Sequence, residues 1–284
     1  MVKKLFRLLL AIALLTSVAA VPSIAQEEVR VVVIGGLDLS GTWQAVEAAA
    51  EESLGLQITT VLSAPKERIV PLFMNGDADL MLIHGGDETF SLQALGYAAP
   101  LQTWGFNEFA FVGPESDPAG IAQAASGAEA IQKIQASQQP LIMFRDPGSY
   151  NILQHLLDTA GLIPAQLNLI PDAAARSQQV LQQASRDQAY VLVGHIPVAF
   201  GRMSAPGIKV LFNGDSAMRR AYVVVTPGPM HPASDSARAN SERLAEFLVS
   251  EAGQNVLMQS VSESGAPWIF PRSSAGLQMR PSAN

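Results

Sequence analysis

Cysteine is absent from the 284-residue chain, and only 15% of its residues are charged. Without a thiol the chain can form no disulfide framework, use no thiolate nucleophile and place no cysteine ligand on a metal ion. Aromatic residues are also few, at 6%, whereas apolar residues make up 48%. This composition argues against disorder and provides for a sizeable core. The length suits one large domain or two of medium size.

Residues 1–25 have the pattern of a cleaved secretory signal peptide. Three basic residues precede an apolar stretch, residues 8–20, which is too short to span a bilayer comfortably. Small residues at positions 23 and 25 fit a cleavage site, so Gln26 would begin the mature protein. An uncleaved anchor is the less favoured alternative. Because no cysteine follows to carry a lipid, the sequence predicts a free periplasmic protein.

The charge balance is acidic, with a formal net charge of −7 for the whole chain. Removing the signal peptide takes away three basic residues and no acidic ones, so the mature protein is more acidic still. An acidic surface disfavours nucleic acid and anionic membranes as partners. It leaves open a small anion, which feels only the local field of its site.

Short apolar runs alternate with helical patterns along the mature chain, which predicts α/β architecture with mainly parallel sheets. Two breaks, Gly113-Pro114 and Pro227-Gly228-Pro229, each follow a β-rich run and would suit hinge crossings between two lobes. The predicted strands are 29–34, 56–62, 80–83, 109–112, 141–144, 190–193, 209–212 and 221–225, and the predicted helices are 42–53, 66–74, 125–137, 150–160, 173–184 and 241–259.

The segment Gly35-Gly36-Leu37-Asp38-Leu39-Ser40-Gly41 lies between a predicted strand and a predicted helix. Free backbone amides there, together with the helix dipole, would make an anion site. The segment lacks the Gly-x-Gly-x-x-Gly pattern of dinucleotide-binding folds. A tight turn with Ser40 as the helix N-cap explains the same residues, and both interpretations remain open.

Arg145 follows a predicted buried strand at the head of a short loop. The guanidinium fork suits tetrahedral oxyanions and carboxylates, because two parallel donors meet two oxygens. The ligand-binding role is favoured over a surface ion pair with Asp146 or Asp187. By contrast, the pair Arg219-Arg220 ahead of a later strand favours a solvated face over a position in a cleft.

The residues after Arg145 would extend this candidate site. Gly148 lies in the loop, and the Ser149 side chain with the amide of Tyr150 would complete a helix N-terminus that faces the ligand. Plain helix capping is the alternative for Ser149. A nucleophilic role is disfavoured, since the chain has no Gly-x-Ser-x-Gly motif and Ser149 cannot form a triad with His155 and Asp158 by local spacing.

His84 and His195 each end a predicted buried strand beside a glycine. Neutral histidine could donate one hydrogen bond to an anion, and protonated histidine would add charge. A metal site with Asp87 or Glu88 is conceivable, but no ligand spacing supports it, so no metal is predicted. A structural role is favoured over direct ligand contact for both histidines.

Two stretches of sequence carry a family resemblance. One is Asn75-Gly76-Asp77-Ala78-Asp79 followed by an apolar strand that ends at His84. The other is Phe106-Asn107-Glu108-Phe109-Ala110-Phe111-Val112-Gly113-Pro114 followed by Asp117-Pro118-Ala119-Gly120-Ile121. The chain in these stretches, and on to about Val256, resembles the solute-binding proteins of ABC transporters, specifically the tungstate-binding branch.

The resemblance implies a type II periplasmic-binding-protein fold, with residues 27–112 plus 226–284 in lobe one and residues 113–225 in lobe two. It further implies a binding protein without cofactor or catalytic activity that delivers a small anion to a permease in the inner membrane. A monomer is expected, since delivery requires the cleft to open and close freely. The ligand would lie among Gly35, Gly36, Ser40, Gly41, His84, Arg145, Gly148, Ser149, Tyr150 and His195.

The chain departs from the family at the first loop, where Ile34-Gly35-Gly36 replaces a hydroxyl-bearing run of the Thr-Thr-Ser type. Backbone amides would then be the main donors for a tungstate- or molybdate-like oxyanion. The change also leaves open another solute, such as an organic carboxylate, and a sensory role for the same fold.

Overall fold

The computed structural model of the protein describes residues 27–272, so the predicted signal peptide lies outside the described residues. The strands in that range are β1 (Glu28–Ile34), β2 (Gln57–Ala64), β3 (Leu80–His84), β4 (Gln102–Pro114), β5 (Leu141–Met143), β6 (Leu169–Pro171), β7 (Tyr190–Gly194), β8 (Ile208–Phe212), β9 (Arg219–Val225) and β10 (Phe270–Pro271).

The α-helices fill most of the segments between the strands. They are α1 (Gly35–Leu39), α2 (Thr42–Leu54), α3 (Lys66–Met74), α4 (Asp87–Ala94), α5 (Gly127–Ala136), α6 (Pro147–Ala160), α7 (Val180–Asp187), α8 (His195–Ala199), α9 (Asp235–Val249) and α10 (Glu251–Gln259). Between residues 27 and 272, no helix is both long enough and apolar enough to cross a membrane.

The strands form two sheets that share β4. In the first sheet the order is β2-β1-β3-β9-β4, and β10 joins β4. The second sheet has the order β6-β5-β7-β4, and β8 also joins β4. The residues Gln102–Glu108 of β4 pair with β9, whereas Phe109–Pro114 pair with β7 and β8. A single strand therefore passes from one α/β unit into the other without interruption.

The position of β9 corrects the prediction that placed residues 221–225 in lobe two. β9 runs antiparallel between β3 and β4, with Tyr222 paired to His84, so it belongs to the first sheet. The chain passes from the first sheet into the second between Glu108 and Phe109, and it returns to the first sheet just before Arg219. Both crossings therefore precede the Gly-Pro breaks. The Gly-Pro breaks mark where β4 and β9 end. The point at which β4 exchanges one partner strand for another depends on pairing between distant segments, which the local sequence does not show. The division into two rigid lobes stays a prediction.

Each sheet carries hydrophobic cores on both faces, as expected for strands covered by helices. In β1, Val31 and Val33 pack into one core and Val32 into another. In β4, Phe111 and Val112 likewise belong to separate cores. Because successive side chains point to opposite faces, the continuous apolar runs in the sequence correspond to strands buried on both sides.

Several predicted element bounds change in the structure. The glycine-rich segment after β1 is mostly the short helix α1, and α2 follows Gly41, which has a left-handed conformation with φ of 73°. The predicted helix 173–184 is shorter and later, as α7. The predicted helix 241–259 is two helices, because Ser250 is extended and caps α10. Helix α6 begins at Pro147, so Gly148 and Ser149 lie in its first turn rather than in a loop.

Candidate functional site

A cavity of about 180 Å³ lies where the ends of β1 and β3 meet β9 and the N-terminus of α6. Parallel strands place ligand sites at their carboxyl ends, and β1 and β3 end here. Residues from both predicted lobes line the cavity, together with the start of β9. They are Ile34, Pro65, Lys66, Glu67, Ile83, His84, Glu88, Asp146, Pro147 and Arg220.

Arg220 is the central cation of this cavity. Its Nε and Nη2 atoms make only long hydrogen bonds to the Gly85 carbonyl oxygen, at 3.4 and 3.3 Å. Among residues 27–272 it has no carboxylate partner within ion-pair distance. Burial lowers the pKa of Arg220, and Asp146 is the first of the nearby carboxylates that oppose this shift. Arginine nevertheless stays charged at neutral pH, so a cation without a close counter-ion faces the cavity.

Two glycines make room for this guanidinium group. A Cβ atom on Gly148 would lie 2.5 Å from Nη1 of Arg220, and one on Gly86 would lie 3.3 Å from Nη2. Any side chain at position 148 would therefore displace the arginine. The sequence predicted Gly148 as a site residue, and the structure places it directly against the cation.

His84 lines the cavity beside Arg220 and stacks on the Tyr222 ring, with centroids 4.6 Å apart and planes inclined by 21°. Burial is the main cause that lowers the pKa of His84 to about 3, and the charges of Arg220 and Lys66 lower it further. His84 is therefore neutral at neutral pH and can donate one hydrogen bond. It adds no charge to the site.

The N-terminus of α6 forms the opposite wall. Asp146 caps the helix by accepting a hydrogen bond from the Ser149 amide at 2.9 Å. The Ser149 side chain is 2% exposed, and its hydroxyl has no hydrogen-bond partner within residues 27–272. A buried hydroxyl of this kind ordinarily has a partner, so Ser149 is a candidate donor to a ligand. Tyr150, the next residue, is exposed.

Only part of the first predicted loop, residues 35–41, lies near the groups of the candidate site. A Cβ atom on Gly36 would lie 3.2 Å from the Tyr222 hydroxyl oxygen, whereas one on Gly35 would meet no atom within 4 Å. Ser40 and Gly41 lie at the far end of α1. There the Ser40 hydroxyl contacts the Leu37 carbonyl oxygen at 3.1 Å and the Thr42 hydroxyl at 2.9 Å. Ser40 therefore fixes the junction between two helices.

Arg145 lies outside the cavity lining and forms an ion pair. Its Nε atom is 2.7 Å from Oδ2 of Asp172, and its side chain is 50% exposed. It also donates to the Ala174 carbonyl oxygen. The alternative partners expected from the sequence, Asp146 and Asp187, were wrong, because the loop after β6 brings Asp172 alongside.

His195 belongs to a second polar cluster, at the point where β4 changes sheets. Its Nδ1 atom lies 3.4 Å from Oε2 of the buried Glu108, and its ring contacts Trp268. His84 lines the cavity, whereas His195 is not among its lining residues. Within residues 27–272 there is no group of three or more His, Asp or Glu side chains that could hold a metal ion.

The sequence pattern at Arg219-Arg220 favours a solvated face over a position in a cleft, whereas the structure places Arg220 in the cavity. The available signal was position, because Arg220 is the second residue of a central strand and lies two residues before Tyr222, on the same strand face. Lys66, which contacts Glu88 at the cavity, was also missed as a site residue.

A larger, open depression of about 560 Å³ lies elsewhere, near the start of β1 and of α9. Its arginine, Arg30, is already paired with Asp79 at 2.6 Å, and Glu27 and Glu28 add negative charge. The smaller cavity is the better candidate because its cation has no close counter-ion.

The residues of a possible hydrolytic triad are also apart in the structure. Ser149 is buried, whereas His155 and Asp158 are exposed on α6. A serine nucleophile needs a base within hydrogen-bond reach, and these side chains do not provide one.

Comparisons with known proteins support this architecture. No protein-family model matches the chain. A protein of Haloferax volcanii, provisionally named an ABC transporter anion-binding protein, is 26% identical over 245 residues, covering 82% of this chain and 68% of that protein.

Two solved structures share the fold. A tungstate-binding protein, TupA, of Desulfovibrio alaskensis matches with a TM-score of 0.68 and 17% identity, covering 86% of this chain and 98% of that chain. A tungstate ABC transporter structure from Geobacter sulfurreducens matches with a TM-score of 0.63 and 21% identity, covering 82% and 98%. The predicted fold is confirmed: this chain has the type II periplasmic-binding-protein fold found in substrate-binding proteins of ABC transporters.

Proposed function

We propose that the protein is an extracytoplasmic solute-binding protein that captures a small oxyanion, of the tungstate or molybdate class, for an ABC importer. One observation carries this proposal: the Arg220 guanidinium lies in the cavity between Gly86 and Gly148 without a close counter-ion. An oxyanion would accept its paired donors, with affinity increased by the low dielectric of a closed cleft.

The surroundings of Arg220 suit capture rather than chemistry. Neutral His84 and the Ser149 hydroxyl can donate hydrogen bonds, and the dipole of α6 favours negative charge at the same end. No nucleophile paired with a base accompanies them in the described part of the chain. The ligand would therefore be bound and released unchanged.

The likenesses to other proteins support the rest of the proposal. The Haloferax protein is named for anion binding in an ABC transporter and the Geobacter structure for a tungstate ABC transporter, which fits a membrane permease as partner and an extracytoplasmic location. Residues 1–25 would be the cleaved signal peptide. We further propose a monomer, since delivery requires the cleft to open and close freely.

A small organic carboxylate is the second candidate. The cavity lining includes Glu67, Glu88 and Asp146 beside the cations. Carboxylate side chains would accept hydrogen bonds from a hydroxyl or ammonium group of the ligand, which a bare metal oxyanion lacks. Because the lining carries both acidic and basic side chains, small organic carboxylates are tested beside the metal oxyanions.

The test is a thermal-shift panel on the mature protein with tungstate, molybdate, sulfate, phosphate and small carboxylates. A ligand that binds only the folded state raises the melting temperature by mass action. We expect a selective rise with tungstate or molybdate. A rise only with a carboxylate would select the second candidate, and no rise with any anion would contradict the proposal.

The same assay on variants tests the role of Arg220. Arg220→Gln should weaken anion binding by at least tenfold, about 1.4 kcal/mol, because one charge-assisted contact is lost. Arg186→Gln removes the same charge from an exposed site on α7 and is the matched control. Arg145→Gln discriminates between the two candidate cations: we expect its affinity to stay within about twofold, and a loss equal to that of Arg220→Gln would restore Arg145 to the site.

A further inference from the structure

The Tyr222 side chain is buried, but its hydroxyl makes no hydrogen bond in the described part of the chain. The side chain is 1% exposed and packs in the core of the first sheet. No hydrogen bond to its hydroxyl is found within residues 27–272, although buried tyrosines ordinarily satisfy this group. Tyr190, the other fully buried tyrosine, has both a donor and an acceptor bond, to Asp117 and Ala119, at 2.9 Å each.

The location of Tyr222 links it to the candidate site. Its ring stacks on His84, which lines the cavity. Arg220 lies two residues earlier, so both side chains leave the same face of β9. The hydroxyl oxygen reaches the first turn of α1, 3.2 Å from the point where a Cβ atom on Gly36 would lie.

We propose that the Tyr222 hydroxyl donates a hydrogen bond to the bound anion and is a specificity-determining residue of this site. The inference rests on the proposed function and deepens it. Arg220 supplies charge on a flexible stem, whereas the stacked ring of Tyr222 holds its donor in one place. A fixed donor selects among anions by where their oxygens lie.

Two further observations fit this role. Burial raises the pKa of Tyr222 above its ordinary value, so the hydroxyl keeps its proton and remains a donor at neutral and mildly alkaline pH. Glycine at position 36 leaves the hydroxyl free, because a methyl group there would press against it. Gly36 and Tyr222 would therefore act together, the glycine by giving the hydroxyl access.

The experiment is calorimetric titration of the wild-type protein, Tyr222→Phe and Tyr190→Phe with the anion that gives the largest thermal shift. Tyr222→Phe should bind about tenfold more weakly or worse, as expected for a lost hydrogen bond to a charged group. Its melting temperature without ligand should be nearly unchanged, since the lost hydroxyl makes no hydrogen bond in the described part of the chain. Tyr190→Phe should do the opposite, melting earlier while binding normally.

A double-mutant cycle with Gly36→Ala makes the test independent of folding. Gly36→Ala should weaken binding in the wild-type background and have little further effect in Tyr222→Phe. Binding by Tyr222→Phe within twofold of wild type, or full additivity of the two changes, would overturn the assignment of Tyr222 alone. Absence of anion binding by the wild-type protein would instead remove the proposed function and this inference together.

Discussion

At the scale of single residues, the site contains a histidine that resists protonation. His84 lies against Tyr222 and near the cations Arg220 and Lys66, and these surroundings lower its pKa to about 3. Because the imidazole is neutral at neutral pH, the positive charge opposite a bound anion comes mainly from Arg220. Anion affinity should therefore show no step from His84 between pH 5 and pH 8.

His84 should also make stability depend on pH. An unfolded histidine has a pKa near 6.5, so the unfolded chain takes up a proton that the folded chain refuses. This contribution is complete above pH 6.5 and decreases as the pH falls towards about 3, by at most about 1.4 kcal/mol per pH unit. His231, whose pKa burial also lowers, acts in the same window.

Urea denaturation of the protein without ligand between pH 7.5 and pH 4.5 would measure this slope. His84→Gln should flatten it, and His155→Gln, at an exposed position, should leave it as in wild type. Equal slopes for His84→Gln and wild type would contradict the role given to His84.

Residue types near the site were easier to predict than their contacts. Gly36, His84, Gly148 and Ser149 were singled out from glycine, capping and strand-end patterns, and the structure places them around β9 and α6. Arg145 was favoured over Arg220, because nothing local reveals that Asp172 returns beside the first arginine. Ion pairing between distant segments is not a local property of the sequence.

At the scale of elements, the N-terminus of α6 combines a cap with a competing charge. The Asp146 carboxylate accepts the Ser149 amide at 2.9 Å. It also lies 3.0 Å from the point where a Cβ atom on Gly148 would sit, and Nη1 of Arg220 lies 2.5 Å from the same point. The carboxylate therefore lies near Arg220 without forming an ion pair with it, and it would repel an arriving anion.

Asp146→Asn should strengthen anion binding by roughly fivefold, because it removes this repulsion at close range. Asparagine caps helices about as well as aspartate, so the unfolding free energy should fall by no more than about 1 kcal/mol. Titration calorimetry and urea denaturation would measure both quantities. Asp235→Asn, which removes one negative charge from the first turn of α9, is the control. Weaker binding by Asp146→Asn would mean that the carboxylate accepts a hydrogen bond from the ligand, as the organic class requires.

Element bounds followed the sequence where local signals were complete. Helix α3 covers Lys66–Met74 as predicted, because Pro65 precedes it and the Asn75-Gly76 turn ends it. The break between α9 and α10 was missed, although Ser250 caps the second helix. A Cβ atom on Gly253 would lie 2.2 Å from the Phe247 carbonyl oxygen, so α10 folds back closely on α9. The amphipathic pattern continues through that break and conceals it.

At the scale of the whole molecule, the two sheets are joined by β4 and by the return of the chain into β9. Glu108 lies at this junction, opposite Arg219 in the strand pairing. Its buried carboxylate accepts hydrogen bonds from the Asn213 side chain and the Gly214 amide, at 3.0 Å each. Glu108 thus links the point where β4 enters the second sheet to the segment that returns the chain to the first sheet.

Arg219 makes this junction sensitive to charge. Its Nε and Nη1 atoms are buried without hydrogen-bond partners in the described chain, and its guanidinium carbon lies 3.6 Å from the centre of the Phe270 ring. Burial lowers the pKa of Arg219, and Glu108 is the first of the carboxylates that oppose the shift. The Glu108 carboxylate therefore compensates the positive charge of Arg219, whose Nε and Nη1 atoms have no hydrogen-bond partner in the described chain.

Glu108→Ala should lower the unfolding free energy by about 2 kcal/mol, because the partly buried Arg219 loses its compensating carboxylate and two hydrogen bonds are lost. Glu108→Gln keeps an acceptor but loses the charge, so it should fall between Glu108→Ala and wild type. Lys133→Gln, which breaks an exposed pair with Glu129 of 3.6 Å, should change stability by no more than about 0.5 kcal/mol. Urea denaturation would measure all three. If Glu108→Ala changes stability as little as Lys133→Gln does, the junction is held by the backbone of β4 alone. A broadened urea-unfolding transition of Glu108→Ala would instead show that the two sheets unfold together only while Glu108 joins them.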